Sequence, residues 1–185
     1  GIQSYLKKFK LSNARTEDLW TSLSEASGKP VNEMMGGWTK HIGYPVIDVN
    51  YISENKIEVS QRRFLASGDV AKEEDQMLWT VPLFPENESD SVAFDTKSVQ
   101  IESKALKLNS GQHGFFRVNY PSEWLEKLGE AVKAGRLSNP VDRLGLISDV
   151  HSLSVAGERK MTDFLDLAVK YVDESDYFVW CELLD

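Results

Sequence analysis

Three histidines are the first residues to test for chemistry: His41, His113 and His151. A catalytic zinc site needs three protein ligands in register, commonly two His one helical turn apart. None of the three has a His or Cys at i+3 or i+4. The local pattern for zinc is therefore absent, and each reads as a surface or packing histidine. Ser4-Tyr5-Leu6-Lys7 has the Ser-x-x-Lys spacing of a serine nucleophile beside a base. Its companion Ser-Asp-Asn and Lys-Thr-Gly elements are missing, so the match reads as chance. No Gly-x-Ser-x-Gly elbow and no Gly-x-x-x-x-Gly-Lys loop occurs. The carboxylate runs Glu73-Glu74-Asp75 and Glu86, Glu88, Asp90 lack the central Gly and closing Glu of a calcium loop, and read as solvated loops. A triad assembled from residues far apart in the chain stays open.

Arg117 is different. It sits in Gly114-Phe115-Phe116-Arg117-Val118-Asn119-Tyr120, between aromatics at the end of a strand pattern. An arginine there is either a buried, paired cation or a clamp for a ligand carboxylate. The paired cation is the expectation, tying sheet to helices through Asp142 or Asp149.

The elements that would position these residues fall into three blocks. In the first, Ile2, Tyr5, Leu6 and Phe9 space as i, i+3, i+4, i+7, an amphipathic helix whose solvated side carries Lys7, Lys8 and Lys10. Thr16 is the expected cap of a second helix, with Glu17 and Asp18 in its first turn. Val31, Met34, Met35 and Trp38 stripe a third, weakened by Gly36-Gly37. Gly43-Tyr44-Pro45 is the joint: Gly can end a helix, and Pro can open a strand but not continue a helix.

The period then changes to two. Ile47, Val49 and Tyr51 alternate with polar residues, and Ile57 and Val59 follow after a Ser53-Glu54-Asn55 turn, predicting a hairpin that runs on to Leu65. Further strands are expected around Gln76–Val81, Val99–Glu102, Leu106–Asn109 and Phe116–Tyr120. Pro82 and Pro85 limit the first of these or place it at an edge. Short strands at near-regular spacing with turn signals predict a small antiparallel β-sandwich. From Pro121 onward the helical period returns. One helix ends at Gly135, the next opens at Asn139-Pro140 and runs to Gly157, a third is capped by Thr162, and Ser175 caps the start of a last one. These read as antiparallel helices on short turns, the start of a helical repeat or bundle.

Composition bounds the function. The chain of 185 residues is 41% apolar and 27% charged, ordinary for a globular protein, and its net charge of −8 argues against nucleic acid. No apolar run reaches the length needed to span a bilayer, and no signal peptide is visible. Cys181 stands alone, which fits a reducing, cytoplasmic setting. Asn87-Glu88-Ser89 matches a glycosylation acceptor and reads as chance. Helical pattern at both ends, uncapped at residue 1, leads us to expect a piece of a longer chain. Such a piece would expose apolar faces, Ile2/Tyr5/Phe9 and Phe178/Trp180/Leu184, and would tend to self-associate.

Three segments together carry a resemblance. They are Tyr5-Leu6-Lys7-Lys8-Phe9 through Gly43-Tyr44-Pro45-Val46, Gly114 to Tyr120, and Asp142-Arg143-Leu144-Gly145-Leu146-Ile147-Ser148-Asp149. In this order they resemble the M1 family of zinc aminopeptidases, most closely its puromycin-sensitive, cytosolic eukaryotic type. The resemblance implies an α+β, multi-part chain. Residues 1–46 would be the terminal helices of a thermolysin-like catalytic domain, 47–120 a β-sandwich, and 121–185 the beginning of a C-terminal helical domain.

It also implies a parent enzyme that uses zinc to remove N-terminal residues from peptides. The partners would be peptide substrates and the remainder of the same polypeptide, with no nucleic acid or membrane. The family's His-Glu-x-x-His and Gly-x-Met-Glu-Asn motifs are absent here. No catalytic, cofactor or metal residue is therefore assigned, the piece is expected to bind no zinc, and its role would be to support and shape the substrate chamber. The alternative is a free-standing β-sandwich and helical module that binds a protein or peptide.

Overall fold

The computed structural model describes residues 1–68, 75–86 and 93–184. Among them the chain is α+β and divides into two compact units, residues 1–42 and 43–185.

The first unit holds three helices, α1 (Ile2–Lys8), α2 (Thr16–Ser27) and α3 (Val31–Lys40). Thr16 is the first helical residue of α2 rather than its cap. The Arg15 N–H instead donates to the Asp18 carboxylate at 2.7 Å, which fixes the entry one residue earlier. Gly28 ends α2 at φ 69°, a left-handed conformation that glycine adopts without a Cβ penalty. Ser22 is the one fully buried residue within these three helices.

The second unit begins with a long hairpin. β1 (Tyr44–Ser53) pairs antiparallel with β2 (Lys56–Phe64), as the alternation predicts. Two two-residue strands, β3 (Val81–Pro82) and β4 (Ala93–Phe94), form a ladder of their own. β5 (Ser98–Glu102) pairs antiparallel with β2, and β6 (Arg117–Asn119) pairs with β1. The order is β5-β2-β1-β6.

This sheet is mixed, not wholly antiparallel, because β1 and β6 run parallel. Parallel neighbours need a long crossover, and here the chain returns across the molecule to the open edge of β1. The strand expected over Gln76–Val81 shrinks to Val81–Pro82 for a specific reason. The buried Gln61 carboxamide donates to the carbonyls of Trp79 and Thr96 at 3.0 and 2.9 Å, and accepts from the Trp79 N–H at 2.8 Å. A side chain, not a ladder, satisfies that backbone. The expected strand Leu106–Asn109 is also irregular: Asn109 takes φ 55°, outside any strand.

Four further helices follow: α4 (Ser122–Lys133), α5 (Pro140–Val155), α6 (Met161–Ala168) and α7 (Tyr177–Leu184). Asn139 caps α5 by accepting from the Val141 N–H at 3.0 Å, with Pro140 at the first helical position. Thr162 does not cap α6. The Ser154 hydroxyl donates to the Lys160 carbonyl at 3.3 Å and Lys160 is the boundary residue. Asp176, not Ser175, caps α7, accepting from the N–H groups of Phe178 and Val179. Val46, Phe64, Leu153 and Ala156 form one buried cluster, so α5 is packed on the β1–β2 end of the sheet. The acceptor Asn87-Glu88-Ser89, the residues Glu73, Glu74, Glu88 and Asp90, and Asp185 lie outside the described residues.

Candidate functional site

The chemistry-bearing side chains of the second unit converge where β6 and the segment before it meet α5. Arg117 leaves β6 and reaches α5. Its Nη1 lies 3.2 Å from Asp149 Oδ1 and donates to the carbonyl and hydroxyl of Ser148, while its Nε donates to the Tyr44 hydroxyl at 3.0 Å. The guanidinium also lies over the rings of Tyr44 and Phe64, at 5.8 and 5.4 Å from their centroids. Asp149 takes a second donor, the Val118 N–H, at 3.0 Å. Burial pushes its carboxyl up to about 6, and the Val118 N–H and Arg117 pull it partway back. The carboxylate is buried with both oxygens engaged, so no face is open to an incoming molecule.

Of the two acids expected as partners, the structure selects Asp149. Asp142 instead binds Lys107, which the alternation had placed outward. Lys107 is only 2% exposed, and its Nζ donates to Asp142 Oδ1 and to the carbonyls of Leu108 and Asn109, each at 3.0 Å. The same Asp142 oxygen accepts from the Gly111 N–H at 2.8 Å. Asn109 completes the knot. Its carboxamide donates to Gln112 Oε1 and the Gly114 carbonyl at 3.0 Å and accepts from the Gly114 N–H at 2.8 Å. The Tyr120 hydroxyl accepts from the Leu108 N–H at 2.8 Å. The sequence signal for this knot was Asn109-Ser110-Gly111, a turn that folds Lys107 inward.

A third charged group lies beyond. Arg62 pairs with Asp48 and with Glu158, both at 2.6 Å. Arg143, in α5, forks onto Glu174 at 2.6 and 2.9 Å and holds that carboxyl down at about 2.

The histidines are not brought together. His41 ends α3 in the first unit, its N–H donating to the Gly37 carbonyl. His113 stands edge-on to Phe84 and His151 packs on Phe164. Ser4 and Lys7 lie on the exposed surface of α1.

Comparison with known proteins adds the lineage. A family model described as the Peptidase family M1 domain matches residues 1–38, and the ERAP1-like C-terminal domain matches residues 105–185. The chain is thus similar to M1 aminopeptidases along its length, with the peptidase-domain match first and the C-terminal-domain match last. It is 42% identical, over its whole length, to aminopeptidase 2 of Candida albicans, and 38% identical to the mitochondrial aminopeptidase 2 of Saccharomyces cerevisiae. It is 40% identical, over 97% of its length, to the puromycin-sensitive aminopeptidase of Caenorhabditis elegans. The chain spans about a fifth of the length of these relatives. The family implies zinc. Among the described residues no three His, Cys, Asp or Glu side chains gather to hold a metal ion.

Proposed function

We propose that this chain is the non-catalytic segment of a zinc-dependent aminopeptidase that removes N-terminal residues from peptides. Its part is to support and shape the substrate chamber. Residues 1–46 would close the catalytic domain, 47–120 form a β-sandwich domain, and 121–185 begin the C-terminal helical domain. The observation that carries this reading is the pair of family matches in order along one chain, the peptidase domain first and the C-terminal domain last. The inward ion pairs agree with it: Arg117–Asp149 and Lys107–Asp142 spend their charge on joining segments, not on a ligand. The partners would be the remainder of the polypeptide and, through it, peptides. A cytoplasmic setting fits the lone Cys181, and no helix among the described residues is long and apolar enough to cross a membrane.

Metal analysis combined with an aminoacyl-arylamide assay tests the reading. The purified chain is expected to carry no stoichiometric zinc and to show no turnover, whereas the longer protein from the source gene should show both. Zinc with turnover in the 185-residue chain would overturn it.

A further inference from the structure

Two exposed apolar rows of opposite electrostatic setting stand unpartnered. The first runs along α6 and the turn after it. Met161, Leu165, Val169 and Val172 recur at helical spacing, and the last three are 55%, 69% and 67% exposed. The groove that α6 makes with α4, about 450 Å³, has Leu125 and Leu167 in its lining and carries the carboxylates of Glu123, Glu126, Asp163 and Asp166. The only cation in that lining, Lys170, pairs with Glu130. The second row is on α1. Ile2 and Leu6 are 62% and 61% exposed, and the basic Lys7, Lys8 and Lys10 follow directly. An apolar stripe beside lysines is the complement of an apolar stripe beside carboxylates.

We propose that these two surfaces bind each other between copies of the chain, α1 of one molecule lying along the α4–α6 groove of the next. The contact is head to tail, so each molecule offers one donor surface and one acceptor surface. Such heterologous contacts grow into rings or open chains and do not stop at a dimer. Opposite charges at the rim steer the encounter and make it sensitive to salt. The interface belongs to the 185-residue chain itself; in the longer polypeptide of the proposed function the remainder of the chain would compete for the same two faces.

Sedimentation velocity over a concentration series tests it. The mean mass should rise above the 20.9 kDa of one chain as concentration increases. Raising the salt from about 0.05 to 0.5 M should weaken association by about tenfold. Leu6→Asp and Val169→Asp, both at exposed positions that leave the core untouched, should each abolish growth. The two variants mixed should then form a 1:1 dimer and nothing larger, because each retains the surface that the other has lost. A single-chain mass at every concentration would overturn the proposal. So would growth that survives either substitution, or a mixture of the variants that stays monomeric. The charge-reversed pair, Lys7→Glu with Lys8→Glu, should lose growth and regain it when mixed with Glu123→Lys with Glu126→Lys; failure of that rescue would overturn the role of charge.

Discussion

At the scale of single residues, Asp149 contributes a term to stability that falls as pH rises. Its folded carboxyl titrates at about 6, above the ordinary 3.8, so the folded state holds the proton more tightly than the unfolded chain does. The sign follows from linkage: the contribution is fully present below about pH 4 and is lost as pH rises through about 6. Asp149→Asn should remove that slope. Relative to the wild type, the variant should gain about 3 kcal/mol between pH 4 and pH 7. Urea midpoints across that range check this, and parallel curves would refute it. Arg117→Met should act the other way, costing about 3 kcal/mol at pH 7 by leaving a buried carboxylate without its cation. The pair was legible in the sequence because an arginine flanked by aromatics has few ways to be satisfied. Lys107 was not. Its alternation with Leu106 and Leu108 looks the same whether the chain is a strand or a knot, and only the left-handed Asn109 turns the lysine inward.

At the scale of elements, two helical glycines make opposite expectations. A Cβ at Gly36, in α3, would meet nothing within 4 Å. Gly36→Ala should therefore stabilise α3 by about 1 kcal/mol through helix propensity alone. A Cβ at Gly145, in α5, would meet Gln112 Nε2, Cδ and Cγ at 1.7, 2.1 and 2.7 Å. Gln112 would have to leave Asn109, so Gly145→Ala should destabilise by about 1 kcal/mol despite the same propensity gain. Thermal melts of both variants measure the contrast; equal shifts would refute the role given to Gln112. Helix periodicity located all seven helices among the described residues, since apolar spacing recurs over about two to four turns in each. Caps at Thr16 and Ser175 were misplaced by one residue, because neighbouring polar residues compete for the same N–H groups, and the cap at Thr162 by two, because α6 starts from Lys160 without a side-chain cap. The short strands were least legible. Gln61 replaces a ladder around Trp79, and no sequence period reports a side chain doing a strand's work.

At the scale of the whole molecule, the two units differ in how much they bury. Within α1, α2 and α3 only Ser22 is fully buried, whereas α5 alone buries eight residues, among them Leu146, Ile147, Val150 and Leu153. Local opening follows such differences. Amide hydrogen exchange should therefore be fast through residues 2–40 and slowest in β1, β2 and α5. Comparable protection in α2 and α5 would show that the first unit holds together by something other than its own burial.

The parallel pairing of β1 with β6 has a consequence for the order in which the protein can be made. Val46 must wait for Arg117, and Arg117 in turn is held by α5. During synthesis β1 and β2 can zip as soon as they emerge, but the far edge of β1 stays unpaired until the chain beyond it has been translated. Contacts of such long sequence separation close late, and an unpaired strand edge is a template for other chains meanwhile. Between the appearance of Val46 and that of Asp149, the Val46–Asp48 edge is thus open to pairing with other chains.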